Sequence, residues 1–589
     1  MIKKILLVIL VFIFGFLVSN LAKAADVNGY TAQYECKAGG ANCNVDVVSY
    51  GNAACQQTIH VSDAWSTINW AADVICIEAG DHTAKGTLTL GSSGTSGTRK
   101  VLRYYRSGDT DDDPWDQSDA NKVKIADFKC LEKDYWIIHR LTFWQTSANN
   151  QFDNNGCQYM IYNRMLVDGR DLNPTASRPL WLIKGVSPDY RSNDFTTVQN
   201  SVIRSSGKRA NSDLHCINAG GKDVRFVNNE IYDCGGDGIV MDDGSDPFRN
   251  IVENNDVYQT SNYLIACDGS AGTTCNCGED GVDVKDNSNT VAELIQVIHN
   301  RIWGQRTTYE TCSGSGSYGY GINSGGTAAT EYVLIKNNIV MSTANGINMR
   351  NDVSHHRSAI GNLLYDINHG HAPSDVPSNG DGDHSIAFRY DGSADYGEAY
   401  LNTVISSEEG FVFSSGETNH DILCNTFIDV SSIRKDTNVL GTGSIVDYNV
   451  FYGTTEYTTE SPDNDLGNYT LNTRANSQAY NLGDIIRTTA TPPEDGTAGD
   501  FLYRVTTAGT SAGSPPAYCT TLGCSTTDGT MVVQAIRGPY SFYSNLRTTP
   551  VLVYIPYAKV HNSAPEYAYC PNTTGSNTGR GINDQTGTW

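Results

Sequence analysis

Two short acidic motifs carry the residues best suited to chemistry. They are Cys234-Gly-Gly-Asp237-Gly238 and Glu279-Asp280-Gly281-Val282-Asp283. If the chain stacks these motifs side by side, their carboxylates repel one another unless a hard cation binds, and Ca²⁺ takes such oxygen ligands. The competing interpretation is structural, because Asp-Gly is also a common turn signal before a strand.

Three basic residues end short segments that we predict to be strands, the first of which begins in the second acidic motif. They are Lys285, Arg350 and Arg389, each placed four residues after the first position of its strand. We predict that they form one outward row beside the acids. The alternative is an ordinary solvated basic face.

A recurring Asn-x-hydrophobic triplet predicts how these residues are brought together. It starts at Asn163, Asn200, Asn229, Asn255, Asn300, Asn338, Asn362, Asn402, Asn425 and Asn449. The shortest steps are near 24 residues, and the longer ones look like the same unit with an inserted loop. A fixed period with insertions is typical of a solenoid, and the Asn side chains fit an internal stack at a turn.

A second strand follows most of these triplets and usually begins with glycine. Examples are Gly238-Ile-Val-Met241, Gly281-Val-Asp-Val-Lys285, Gly321-Ile-Asn-Ser324, Gly346-Ile-Asn-Met-Arg350, Ser385-Ile-Ala-Phe-Arg389 and Gly410-Phe-Val-Phe413. Their alternation predicts half-buried strands. Coils of about 24 residues with two or three short strands predict an all-β, right-handed parallel β-helix, since a propeller needs four-stranded blades.

The chain therefore resembles the right-handed β-helix superfamily of pectate lyases and polygalacturonases over roughly residues 60 to 470. The acidic motifs resemble the calcium site of family 9 polysaccharide lyases. That resemblance implies that Asp237, Glu279, Asp280 and Asp283 bind Ca²⁺, which would bridge a uronate carboxylate and acidify the C5 proton. A Lys or Arg would then remove that proton, and β-elimination would follow.

The sequence departs from this family at the catalytic base. The family's lysine lies two residues after a downstream glycine, and those positions hold Asn323 and Asn348. Lys285, Arg350 or Arg389 is the expected substitute.

Two other functions compete with the lyase. The aspartates could be the acid and base of an inverting glycosidase, and Gly319-Tyr-Gly-Ile322 resembles the Gly-His-Gly strand of polygalacturonases, with Tyr320 in place of histidine. The third possibility is a non-catalytic, phage-like or surface protein that binds glycans.

Composition narrows the partners. A net charge of −24 argues against nucleic acid and anionic membranes, and it disfavours an anionic polysaccharide unless cations bridge the two. We expect a polysaccharide substrate, no membrane span in the mature chain and a monomer. Sixteen cysteines in an exported chain predict disulfides, including a small loop closed by Cys519 and Cys524.

The expected organisation has five parts. Residues 1–24 read as a cleaved signal peptide, because a charged start and a short apolar run precede Ala22-Lys-Ala24. Residues 25–60 are irregular, 61–470 form the β-helix with a short helix near 61–72 as its cap, 475–537 form a small accessory β module, and 538–589 form a tail or cap. The expected location is extracellular or periplasmic.

Overall fold

The structure is a computed structural model. It describes residues 53–106, 122–147, 151–172, 179–183, 193–207, 214–241, 249–260, 279–285, 294–305, 319–325, 332–351, 356–367, 386–392, 397–413, 420–423, 425–435, 445–447, 450–452, 469–482, 484–487, 502–519, 524–542 and 551–556. The predicted signal peptide, Asn449 and most of the segment 25–60 lie outside these residues.

The described residues form strands and two 3₁₀ turns, Trp65–Thr67 and Thr83–Lys85. The predicted helix near 61–72 is therefore wrong. Ile68 has extended backbone angles and ends the turn after one hydrogen bond to Trp65, so the spacing of the aromatic side chains arises without a helix. No helix in the described ranges is long and apolar enough to cross a membrane.

The chain divides into two compact units. Unit 1 holds residues 1–208 and 212–234, and unit 2 holds residues 209–211 and 235–589. In each unit the strands stack in parallel, coil upon coil, so the predicted all-β parallel β-helix is confirmed.

In unit 1, three stacks of parallel strands follow one another around each coil. The first stack contains Gln57–Ile59, Val74–Glu78, Lys100–Tyr105, Trp136–His139, Ile161–Asn163, Thr197–Gln199 and Arg225–Val227. The second contains Gly80–Asp81, Val123–Ile125, Thr142–Trp144, Leu166–Asp168, Val202–Arg204 and Glu230–Tyr232. The third contains Thr87–Thr89, Asp127–Leu131, Phe152–Asn155, Trp181–Ile183 and Ile217–Ala219.

Unit 2 repeats the arrangement. Its first stack contains Ile251–Glu253, Ile295–Ile298, Tyr332–Lys336, His356–Ile360, Gly397–Tyr400, Asp421–Leu423 and Ile445–Asp447. Its second contains Asp256–Tyr258, Arg301–Trp303, Ile339–Met341, Leu363–Ile367, the starts of Thr403–Phe413 and Thr426–Lys435, Val450–Tyr452 and Tyr469–Thr473. Its third contains Ile239–Met241, Val282–Val284, Tyr320–Ser324, Asn345–Asn351, Ile386–Gly392 and the ends of Thr403–Phe413 and Thr426–Lys435.

A ladder of asparagine side chains holds the coils of unit 2 in register. It runs through Asn255, Asn300, Asn338, Asn362, Asn402 and Asn425, and all six are buried. Asn300 shows the pattern: its backbone N–H and its Nδ2 both donate to Oδ1 of Asn338, at 2.9 and 3.0 Å. Its Nδ2 also donates to the Val252 carbonyl at 2.9 Å. Each amide thus satisfies backbone and side-chain groups that water cannot reach.

The first two predicted members of this ladder, Asn163 and Asn200, lie in neighbouring rows. Asn163 aligns with Gln199, and its amide contacts the His139 ring at 3.0 Å. Asn200 adopts a left-handed conformation with φ of 52°, a conformation that asparagine tolerates well. Ser201 takes the ladder position, and its N–H donates to Asn229 Oδ1 at 3.0 Å. Asparagine suits either position of the turn, so the triplet alone does not separate them.

The end of unit 2 changes to antiparallel pairing. The strands Ala479–Tyr480, Ile485–Arg487, Leu502–Thr507, Gly509–Thr510, Ser525–Asp528, Met531–Phe542 and Val551–Pro556 enclose a separate small core. The predicted Cys519–Cys524 disulfide is confirmed. Within the described ranges the other disulfides are Cys55–Cys76, Cys130–Cys157 and Cys216–Cys234.

The ladder gives a first prediction. In Asn338→Asp, the new carboxylate can still accept from Asn300, but it cannot donate to the Val297 carbonyl or to Asn362 Oδ1, which Asn338 Nδ2 reaches at 2.8 and 3.0 Å. We expect the free energy of unfolding to fall by about 3 kcal/mol in urea titrations. Asn337→Asp is the matched control, because Asn337 is only partly buried, and it should change stability by less than about 1 kcal/mol. Equal losses in the two variants would contradict a role for the ladder.

Candidate functional site

Three buried carboxylates meet on the third stack of unit 2. Asp237 and Asp280 directly precede Gly238 and Gly281, and Asp283 lies opposite Val240 in the neighbouring strand. The Asp280 N–H donates to Asp237 Oδ1 at 2.6 Å, and the Tyr320 N–H donates to Asp280 Oδ1 at 2.9 Å. One oxygen from each aspartate lies within 4.8 Å of the others. The predicted stacking of the two motifs is therefore present.

Glycine at the start of these strands is required by packing. A Cβ on Gly281 would come within 2.4 Å of Ile302 Cγ2 in the second stack. This close packing at Gly281 determines where the strand begins, and so it also determines the position of Asp280, the residue before it.

The carboxylates carry a strong electrostatic penalty. Burial raises the pKa of Asp280 well above its ordinary value, and repulsion from Asp237, Asp283 and Glu279 adds to the rise, against the Tyr320 N–H, which lowers it. Glu279 is partly exposed and takes part through its charge. A bound cation would relieve this repulsion.

Lys285 supplies part of that balance. Its Nζ lies 2.7 Å from Asp283 Oδ2, and 43% of its side chain is exposed. Burial lowers the pKa of Lys285, but attraction to Asp283, Asp237 and Glu279 outweighs it and leaves the pKa above its ordinary value. The amine is therefore held in its charged form.

The triad also fits a calcium ion chemically. Ca²⁺ binds oxygen ligands at about 2.3–2.6 Å, so ligand oxygens on opposite sides of one ion are about 5 Å apart. The three triad oxygens lie within 4.8 Å of one another, which is close enough for all of them to bind one such ion. Asp237, Asp280 and Asp283 could hold such an ion, with other ligands from water or substrate.

The three predicted bases do not form one row. Lys285, Gly325 and Arg350 occupy the same row on successive coils, and the Gly325 N–H donates to the Val284 carbonyl. On the next coil Arg350 pairs with Asp391, not with Arg389. The side chain of Arg350 lies outside the described atoms. Arg389 pairs with Asn348 and Val412, two residues away from the predicted position.

This shift has a simple origin. The strand that contains Arg389 aligns Phe388 with Ile347, so Ala387 takes the glycine position that the sequence pattern gave to Ser385. Strand side chains alternate with a period of two, so a two-residue slip leaves every side chain on the same face. The alternation therefore does not exclude it, although a small residue at Ala387 is a usable signal for the correct alignment.

The corrected alignment creates an outward row that we call the Asp283 row: Asp283, Asn323, Asn348 and Arg389, on successive coils. Asn323 Nδ2 donates to Asp283 Oδ1 at 3.2 Å, and Asn348 Nδ2 donates to Asn323 Oδ1 at 2.9 Å. Arg389 is 9% exposed, and its Nη1 donates to the Tyr320 hydroxyl at 3.1 Å. Sequence reasoning missed this contact because Tyr320 and Arg389 are 69 residues apart.

Comparisons with known proteins find solved structures whose folds are similar to that of this chain. No protein-family model and no curated protein matches the chain. Among solved structures, a family 6 alginate lyase is 12% identical with a TM-score of 0.39, covering 68% of this chain and 48% of that one. An α-1,3-glucanase from Streptomyces thermodiastaticus is 13% identical with a TM-score of 0.35, covering 70% and 71%. A pectate lyase is 11% identical with a TM-score of 0.31, covering 68% and 81%.

This chain therefore spans about half the length of the alginate lyase. All three TM-scores lie below 0.5, so these similarities assign the chain neither a family nor an activity.

The acidic triad predicts a pH-dependent stability that calcium removes. Because the pKa of Asp280 is higher in the folded protein than its ordinary value of 3.8, the folded state binds the proton more tightly than the unfolded chain. In chelator, the melting temperature should therefore fall as the pH rises above that value. Added Ca²⁺ should raise the melting temperature, and more so at pH 8 than at pH 5, because it binds the ionised acids.

Asp280→Asn is the matched variant for this measurement. It should flatten the pH dependence in chelator and weaken the response to calcium. The same slope and the same calcium response in wild type and variant would show that the triad does not bind the ion.

Proposed function

We propose that this protein is a secreted, polysaccharide-active β-helix protein, and that it is a Ca²⁺-dependent polysaccharide lyase that cleaves a uronate-containing glycan by β-elimination. One observation supports this most directly. A buried triad of carboxylates suited to Ca²⁺ lies beside Lys285, and Arg389 follows in the same outward row as Asp283. The acids and Lys285 thus lie at one end of this row, and Arg389 lies three coils further along it.

A bound calcium ion would supply positive charge that neutralises the uronate carboxylate and makes the C5–H bond more acidic. In this proposal Lys285 takes the proton, because it is the lysine beside the acidic triad. Burial is the largest single influence on the pKa of Lys285 and lowers it, and the combined attraction of the acids now outweighs burial. With the charge of the acids balanced by an ion, that attraction would weaken and the pKa would fall, moderately because the side chain is 43% exposed. Its neutral amine would remove the C5 proton, a C4–C5 double bond would form, and the C4–O bond would break.

Arg389 suits a different role. A guanidinium keeps its proton in proteins, so it is a poor base but a good partner for a carboxylate. The Tyr320 hydroxyl fixes its position. We therefore assign proton abstraction to Lys285 and charge neutralisation to Arg389, with Arg350 as a further basic residue of the Lys285 row.

The geometry disfavours the inverting glycosidase. Such enzymes keep their two carboxyl groups about 6.5–9.5 Å apart to admit a water molecule. The oxygens of Asp237, Asp280 and Asp283 lie within 4.8 Å of one another. That spacing suits shared binding of one cation better than an acid and a base with water between them.

Export is part of the proposal. The N-terminal segment has the composition of a signal peptide, and four disulfides link described cysteines. Disulfides persist in oxidising compartments, so an extracellular or periplasmic location fits them.

The test is an absorbance assay at about 235 nm, where the C4–C5 double bond of the product absorbs. Pectate, alginate and glycosaminoglycans are incubated with Ca²⁺ or with chelator. We expect unsaturated product from at least one uronan, and we expect chelator to abolish it. Reducing ends without absorbance would instead show a hydrolase, and binding without either signal would show a glycan-binding protein.

Lys285→Ala tests the base. We expect kcat to fall at least about 100-fold, because a general base contributes about 10² to 10⁴ in rate. Lys285→Arg should not restore the rate, since arginine does not give up its proton. Lys336→Ala, in the first stack, is the matched control and should retain full activity. An unchanged lyase rate in Lys285→Ala would remove Lys285 from the mechanism.

A further inference from the structure

The hydrogen bonds of the Asp283 row run in one direction. A carboxylate paired with a lysine can only accept hydrogen bonds, so Asn323 must turn its amide nitrogen toward Asp283. The Asn323 oxygen then faces the next coil and requires a donor, which Asn348 Nδ2 provides at 2.9 Å. The ion pair at one end therefore fixes the orientation of both amides.

The direction leaves one acceptor at the other end of the row. Asn348 Oδ1 is buried, and none of the described residues donates a hydrogen bond to it. Asn348 is only 4% exposed, so bulk water reaches it poorly. Buried acceptors almost always have a partner, so one that lacks it in the same row as Asp283 and Arg389 is a candidate position for a ligand.

The surroundings define the chemistry of that ligand. The next residue of the row is Arg389, which pairs in register with Asn348. Its positive charge disfavours a cation at the amide oxygen and favours an anionic ligand. A ligand that suits these surroundings combines a hydrogen-bond donor for Asn348 with a negative charge near Arg389, whose Nη1 also donates to the Tyr320 hydroxyl. The hydroxyl and the carboxylate of a uronate residue supply both.

We propose that Asn348 is a specificity-determining residue: its Oδ1 accepts a hydrogen bond from a free hydroxyl of a uronate residue whose carboxylate faces Arg389. This inference rests on the proposed action on uronans. It adds a selection for unsubstituted sugar, because an O-acetyl group removes the hydroxyl proton and leaves the amide oxygen without a donor. The protein should therefore discriminate against O-acetylated uronan.

The first experiment measures that discrimination. Steady-state kinetics are followed on O-acetylated alginate and on the same polymer after mild alkaline deacetylation, with the uronan cleaved best as a further substrate. For the wild type, deacetylation should raise kcat/KM by about tenfold or more, which is the size of one lost hydrogen bond to a buried acceptor. For Asn348→Leu the two polymers should give equal values, with KM on the deacetylated polymer raised about tenfold and kcat little changed.

Thermal unfolding separates a binding role from a structural one. Leucine removes the amide oxygen that has no protein donor, but it also removes the hydrogen bond from Asn348 Nδ2 to Asn323 Oδ1. Asn323 is partly exposed, so water can replace that donor, and Asn348→Leu should lower the melting temperature only slightly. A large drop in melting temperature together with an unchanged KM would show that Asn348 only supports the fold, and would overturn the inference.

Binding keeps the inference separate from the proposed activity. Calorimetry with deacetylated and acetylated uronate oligosaccharides compares Lys285→Ala with Lys285→Ala/Asn348→Leu. Suppose that the wild type forms no unsaturated product, but that Lys285→Ala/Asn348→Leu binds the deacetylated oligosaccharide about tenfold more weakly than Lys285→Ala does. The proposed lyase activity is then wrong and the role of Asn348 stands. If the wild type cleaves both polymers equally and Asn348→Leu behaves like it, the lyase stands and the role of Asn348 is wrong. A wild type that neither binds nor cleaves any uronan overturns both.

Discussion

The hydrogen bonds between successive coils determine where every side chain in the described part of unit 2 can lie. Parallel strands stack about 4.8 Å apart, and each backbone group pairs with the coil above or below. This spacing brings Asp237, Asp280 and Asp283 together although 43 residues separate the first two. The asparagine ladder maintains the spacing at the turn, and the glycine corner at Gly281 maintains it at the start of the strand. The candidate site therefore depends on the alignment of strands from successive coils, and not on a structure formed by one continuous segment.

Register also explains why the acids must be compensated. Rows of a parallel stack place like residues directly on top of one another, so two acidic motifs on adjacent coils cannot avoid mutual repulsion. Lys285 offsets part of it through Asp283, while burial first and the remaining repulsion second raise the pKa of Asp280. A cation would balance this charge, and the lysine that now stabilises the acids could then act as a base. The same residues thus link the stability of the coil to the proposed chemistry.

Much of this arrangement could be predicted from the sequence, because the triplet repeat and the Gly-initiated strands both report the coil period. They place Asp237 beside Asp280 and Asp283, and they place Arg350 in the row of Lys285. These patterns give the wrong position where two neighbouring positions favour the same type of residue. Arg389 is displaced by two residues without changing face, and Asn200 sits one residue off the ladder in a conformation that asparagine also favours. The contact between Tyr320 and Arg389 depends on that register and so could not be inferred beforehand.

The asparagine ladder has a consequence for how the protein is made. From Asn255 to Asn402, each ladder residue donates both its N–H and its Nδ2 to the Oδ1 of the coil that follows, as Asn338 does to Asn362 and Asn362 does to Asn402. A partly assembled stack therefore always presents unmet donors at its C-terminal end, and the next coil to emerge carries the acceptor. This polarity favours growth of the stack from its N-terminal coil toward its C-terminal coil, which is the direction of synthesis. The ladder residue of each new coil must accept two hydrogen bonds from the coil before it. Asparagine can do so through Oδ1 and can also donate to the next coil, which explains why asparagine recurs at this position while the rest of the coil varies.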